Sequence, residues 1–142
     1  MKYFILLLVV LCAMFCSSWN SKWAISQITR QDGYYIEETS DGCFGRYVTT
    51  LEIVKNAEGK GKAIYTSVSY NGEEKLSEMK REVVWNRQKE ATLRDVFEAG
   101  LNAENKGSCT SASTYKLKGF PYFVSFEDLD CKSERKFNLL LK

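Results

Sequence analysis

The groups that could carry bond-making chemistry in this sequence are carboxylates, a cysteine flanked by glycines and a short glycine-lysine run; histidine is absent. Without an imidazole, Ser-His-Asp and Cys-His nucleophile activation, His-bridged zinc and histidine-based pH switching are excluded. Carboxylates are then the commonest acid-base groups left. They fall in two runs: Glu37, Glu38 and Asp41 precede Cys43, and Glu127, Asp128 and Asp130 precede Cys131. A carboxylate pair at the right separation hydrolyses glycosides. Three carboxylates can also supply the hard oxygens calcium prefers, although the second run lacks the glycine-bearing loop of an EF-hand. Strand ends and turns are commonly acidic, so solvated faces are the simpler reading of both runs.

Cys43 sits in Asp41-Gly42-Cys43-Phe44-Gly45-Arg46. The two glycines would let backbone amides approach an anion, and Arg46 would favour the thiolate. A thiolate enzyme still needs a proton shuttle, so a packed or paired thiol at a strand start is the expected role. Gly59-Lys60-Gly61-Lys62 lacks the spacing of a phosphate-binding loop and precedes no helix, which makes it a basic hairpin tip. The sequence therefore assigns no catalytic residue, no metal ligand and no cofactor.

The aromatic residues say more, at 13% of 142 residues. Trp19, Trp23, Tyr34, Tyr35, Tyr115, Phe120, Tyr122, Phe123 and Phe126 exceed what one small core absorbs. Tyr and Trp recur at binding surfaces because they combine large contact area with a polar handle. Tyr34-Tyr35 and Phe120 with Tyr122, at two expected hairpin tips, are the candidate partner surface. With 20 basic and 18 acidic side chains, the net charge of +2 is too balanced and too evenly interleaved for a nucleic-acid binder.

The N-terminus reads as an address. Lys2 is followed by an uncharged apolar run from Tyr3 to Phe15, then Cys16, Ser17 and Ser18. The run is shorter than the roughly 20 residues of a membrane span. Its basic, apolar and small-residue order is that of a secretory signal. Residues 1–18 are expected to be removed, leaving 19–142 as one exported domain, periplasmic or extracellular. The alternative is a lipid anchor on Cys16. Of the five cysteines, Cys12 and Cys16 lie in this segment. Export permits a disulfide among the other three. Cys109 and Cys131 are the expected pair, at the open end of a hairpin turning at Lys118-Gly119-Phe120-Pro121. Cys43 is left over.

The remaining elements would position these groups. Asp32-Gly33, Asp41-Gly42 and Asn71-Gly72 are turn signals. Trp23 to Arg30 and Tyr34 to Thr39 are expected to form a first hairpin, and Phe44–Lys55 with Lys62–Tyr70 a second. A turn centred near Gly59 sets Ile53 opposite Ile64, Leu51 opposite Thr66, Thr49 opposite Val68 and Tyr47 opposite Tyr70. That register puts Tyr47, Leu51, Ile53, Ile64, Val68 and Tyr70 on one face. A third strand is expected within Leu76 to Trp85, although Leu76, Met79 and Val83 also fit a helix. Asn86 caps a helix over Arg87 to Ala103, with Leu93, Val96, Phe97, Gly100 and Leu101 on one stripe. Gly100 on that stripe implies close approach of the helix to the sheet. Residues 133–142 suit a short helix or a last strand. The fold class expected is α+β, an antiparallel sheet of five to six strands with one principal amphipathic helix packed on it. The function expected is non-catalytic recognition of a protein partner, in the manner of an inhibitor or immunity protein. A glycan or small-ligand module is the alternative, and a carboxylate-based hydrolase the third reading.

Overall fold

The computed structural model describes residues 21–42, 45–58, 60–104, 107, 109 and 111–142. The expected signal segment, the Cys16 anchor, Trp19, Cys43, Phe44 and Gly59 lie outside the described residues. Helix α1 covers residues 21–30. Four strands follow, β1 (Gly33–Gly42), β2 (Gly45–Lys55), β3 (Gly61–Asn71) and β4 (Glu74–Trp85). Then come α2 (Arg87–Leu101), β5 (Ala112–Gly119), β6 (Tyr122–Asp128) and α3 (Lys132–Leu140). The strands form one antiparallel six-stranded sheet in the order β4-β3-β2-β1-β5-β6. This is the α+β layer arrangement expected from the sequence, with three helices of which α2 is the principal one.

Alternation along each strand sorts side chains to two faces. Tyr34, Ile36, Leu51, Ile53, Ala63, Tyr65, Val83, Trp85, Tyr115, Leu117, Val124 and Phe126 point to one face and are buried. Ile25 and Ile28 of α1, Leu93, Val96 and Phe97 of α2, and Phe137 and Leu140 of α3 complete the same core. All three helices therefore lie against one side of the sheet, and the other side is left uncovered by them.

The helix over α2 forms as its sequence dictates. Asn86 is extended at the N-cap, and its Oδ1 accepts the Lys89 N–H at 2.9 Å. Leu93, Val96, Phe97 and Gly100 are the buried stripe. A Cβ at Gly100 would overlap the Phe126 ring, so the glycine is what lets α2 settle on β6. That ring has little freedom to yield, being stacked on Tyr115 at 4.9 Å and edge-on to Phe97 at 5.2 Å.

Three expectations are corrected. Residues 23–30 are helical, not the first arm of a hairpin, and β1 pairs with β2 and β5 instead. Ala24, Ile25, Ile28 and Thr29 gather on one helical stripe that faces the core, and burying it outweighs the strand preference of the β-branched residues. In the second hairpin, Ile53 faces Ala63, Leu51 faces Tyr65, Thr49 faces Ser67 and Tyr47 faces Ser69, one residue from the expected register. The cause is the turn: Asn56 N–H bonds to the Lys60 carbonyl, and Asn56 Oδ1 accepts the N–H groups of Glu58 and Lys60. A one-residue slip reverses a strand's faces. Ile64, Val68 and Tyr70 accordingly leave the core face, which receives Ala63 and Tyr65. Tyr47 keeps the core-side phase but lies 51% exposed. The β5–β6 hairpin is likewise displaced by a residue, with Gly119 facing Tyr122. Residues 132–140, whose sequence suits either a short helix or a last strand, are helical.

Two expectations stand as read. The third strand after Asn71-Gly72 is β4, and Cys109 is bonded to Cys131, with Cα atoms 6.0 Å apart. The bond closes a loop with a sequence separation of 22. In the chain-entropy view such a loop stabilises by about 3 kcal/mol, by restricting the unfolded chain. Cys131→Ser should therefore lower the unfolding free energy measured by urea titration by that amount, and reduction of the native protein should do the same. A change below about 1 kcal/mol would show that the bond constrains nothing that folding needs.

Candidate functional site

The two carboxylate runs do not assemble into acid-base pairs. Neighbouring residues on a strand face opposite sides of the sheet, and this separates Glu37 from Glu38 and Glu127 from Asp128. Glu37 lies on the helix-free face, with Oε1 2.6 Å from Lys116 Nζ and Oε2 3.2 Å from Lys118 Nζ. The Lys116 hydrogen bond, with help from Lys118, holds its carboxyl below the usual range. Glu38 points to the helix side, where Tyr115 Oη donates to its Oε1 at 2.9 Å. Burial pushes this carboxyl up and Glu134 adds to the rise, while hydrogen bonds from Tyr115 and Thr49 oppose it. The Tyr115 phenol is itself raised, first by burial and then by Glu38. Asp41 pairs with Arg46 at 2.8 Å.

Asp128 is 4% exposed and serves structure. Its Oδ2 accepts the Ser133 N–H at 2.6 Å and its Oδ1 the Asp130 N–H at 3.2 Å, which closes the entry to α3. Cys131, in the left-handed region at φ 55°, provides no cap of its own. Asp130 pairs with Lys132 at 2.8 Å. Among the described residues, no group of three or more Asp, Glu, Cys or His side chains is placed to hold a metal ion. No helix among them is long and apolar enough to cross a membrane. The disulfide is consistent with an oxidising, extracytoplasmic compartment.

The four aromatic candidates separate. Tyr34 is a correction: it is 4% exposed, faces the core and accepts the Trp85 Nε1–H at 3.0 Å. Tyr122 is half-buried and meets Trp23 of α1 edge-on at 5.2 Å. Tyr35 and Phe120 do reach a surface. Phe120 stands at the β5–β6 tip, 96% exposed, while its carbonyl accepts from Gln31 Nε2 at 2.9 Å. Tyr35 lies on the helix-free face between Glu52 of β2 and Lys118 of β5, and Lys118 Nζ is 5.4 Å from its ring centre. Phe123 is directly across from Lys118.

The arrangement is a shallow groove at one end of the open sheet face. Tyr35, Glu52, Val54, Lys118, Phe120 and Phe123 line it. Val54 and Phe123 are more than half exposed, and Val84 is exposed on the same face two strands from Val54. Sequence reasoning does not name Val54, and it places Phe123 only among the surplus aromatics, not in the candidate surface. Their signal is the alternation itself, since each lies out of phase with buried neighbours, Val124 and Phe126 or Leu51 and Ile53. The groove offers apolar area, one cation and one carboxylate, but no nucleophile beside a base. The chain matches no protein-family model, and no curated protein resembles it in sequence.

Proposed function

We propose that this protein is an exported, non-catalytic binding domain that recognises a protein partner through the aromatic end of its open sheet face. The observation that carries the reading is the joint exposure of Phe120, Phe123 and Val54, beside a half-buried Tyr35, on rigid strands and a tight hairpin tip. Contiguous exposed apolar side chains rimmed by charge are the signature of interaction sites on soluble proteins. Aromatic anchors with a nearby cation carry most of the binding energy in such sites. Strand placement also limits the ordering cost on association, because the side chains are already fixed by the sheet. A protein surface suits the groove better than a sugar ring. Neither described tryptophan lies on it: Trp85 is in the core, and Trp23 packs against Tyr122.

The test is site-specific photocrosslinking in the cell envelope of the native host. A photoreactive phenylalanine at Phe120, Phe123 or Tyr35 should capture one and the same protein, and the probe at Lys136 on α3 should not. Phe120→Ala combined with Phe123→Ala should then weaken the purified complex by about 2 kcal/mol or more, roughly thirtyfold. Equal labelling from all four positions, or from none, would remove the reading. Quenching of tyrosine emission by cell-wall oligosaccharides would favour the glycan alternative.

A further inference from the structure

The sheet has two edges, and they differ. β6 is a seven-residue edge enclosed between the Pro121 turn and α3. β4 is a twelve-residue edge, and its ladder to β3 runs unbroken from Gly61–Trp85 to Ser69–Ser77, with the one irregularity lying beyond Ser77. The outer side of an edge strand carries backbone N–H and C=O groups with no ladder partner. Over this regular stretch Glu78, Lys80 and Glu82 project to the helix-free face, and Ser77, Met79 and Arg81 to the helix side. Met79 is 53% exposed although its neighbours in phase, Val83 and Trp85, are buried.

We propose that β4 pairs antiparallel with β4 of a second copy about a two-fold axis at Met79, joining two six-stranded sheets into one. The strand's own charge pattern favours a second copy as the occupant and an axis at Met79, where Glu78 and Lys80 complement each other. In a two-fold pair the residue on the axis faces its own copy. An axis at Glu78, Lys80, Arg81 or Glu82 sets a charge against itself, which is destabilising. An axis at Met79 sets Met79 against the partner's Met79 on the helix side. On the open face it sets Glu78 against the partner's Lys80, and Lys80 against the partner's Glu78. Within one chain Lys75 already pairs with Glu78, and Lys62 with Glu82 at 2.9 Å, whereas Lys80 makes no ion pair among the described residues. The second copy supplies what Lys80 lacks. Arg81 is held by the Leu141 carbonyl at 2.7 Å and needs nothing from the partner. The pairing uses the sheet edge and leaves the aromatic groove free, so it stands independently of the partner-binding function.

Sedimentation equilibrium on the purified exported chain tests it, with circular dichroism to confirm that each variant is folded. The unaltered chain is expected to be a dimer. Lys80→Glu sets carboxylates against carboxylates in both cross-strand pairs, and Glu78→Lys does the same with ammonium groups. Each should raise the dimer dissociation constant at least about tenfold. The combined Glu78→Lys/Lys80→Glu exchange should restore it. Met79→Cys should give an interchain disulfide on mild oxidation, since directly opposed Cβ atoms come closest in a non-hydrogen-bonded pair and a small shift of the two strands brings them within the roughly 3.5–4.5 Å that a disulfide spans. A monomer at every concentration, a dimer indifferent to the single reversals, or a folded double exchange that stays dissociated would each overturn the proposal.

Discussion

Replacing Trp85 with alanine should lower stability by about 3–5 kcal/mol, a large part of what a domain of this size possesses. Trp85 ends β4, an edge strand whose remaining positions from Glu74 to Lys80 are all exposed. It is 1% exposed itself and is among the largest side chains in the core. Its removal takes away burial, and neighbours anchored on strands and on α2 cannot collapse into the space, so a cavity penalty adds to the transfer loss. It also removes the hydrogen bond to Tyr34 Oη at 3.0 Å and an edge-on ring contact at 6.3 Å. The Tyr34 phenol stays protonated, because burial and then the Glu90 carboxylate push it well above its ordinary range. It is therefore left as a buried hydroxyl that must find another partner. Trp85→Phe separates the two contributions: it retains most of the volume and loses the N–H, and should cost about 1–2 kcal/mol. Urea titration followed by circular dichroism measures both. A Trp85→Ala cost below about 1 kcal/mol would mean that the end of β4 repacks freely.

How far the sequence reaches is clearest where one local rule decides. In α2 the cap, the stripe and the intruding glycine all point the same way, and each is found where its residue type requires it. The Cys109–Cys131 bond was legible because a turn signal at Phe120-Pro121 brings the two ends of one hairpin together, and an error of one residue in register does not part them. The same error is decisive between β2 and β3, where it moves Ile64 and Val68 to the opposite face. That register depends on how Asn56 closes its turn, a matter of hydrogen-bond geometry that composition does not encode. For α1, Ile25 and Ile28 satisfy a helical stripe, but so short a run before Asp32-Gly33 also satisfies a strand, and only the core it faces decides between them. The candidate surface shows the same division. Tyr34 and Tyr35 are adjacent, and what distinguishes them is phase: Tyr34 shares a face with Ile36, and Tyr35 with Glu37.

The least legible feature is a charged cluster joining residues far apart in sequence, and it carries the second large expected effect. Glu90→Gln should destabilise the protein by about 3–5 kcal/mol, the usual cost of breaking a buried ion pair from one side. Glu90 lies in the first turn of α2, where a carboxylate also complements the helix dipole. Its Oε2 is 2.7 Å from Lys55 Nζ at the end of β2, and its Oε1 is 2.8 Å from Arg94 Nη2. The Lys55 and Glu90 side chains are only 6% and 15% exposed. Lys55 also donates to the Thr29 carbonyl and lies 5.3 Å from the Tyr34 ring centre, and Arg94 Nε donates to Thr29 Oγ1 at 2.9 Å. One carboxylate thus ties α2 to β2 and, through Thr29, to the end of α1. Glutamine keeps the shape and one accepting oxygen but carries no charge, and its amide NH2 meets a cation, so the Lys55 ammonium is left in the interior without a counter-charge. Arg94 loses less, because its side chain is 38% exposed and water can solvate it. The penalty comes from the stranded ammonium more than from any net attraction in the pair. Replacing both partners with apolar side chains, Lys55→Met with Glu90→Leu, should therefore cost less than Glu90→Gln alone. Urea midpoints at low and at high salt would measure this, and high salt should relieve little of the loss because the pair is shielded from solvent. If the double replacement proved the more damaging, the cluster would be held by its own Coulomb attraction, and the role assigned to the buried ammonium would be wrong.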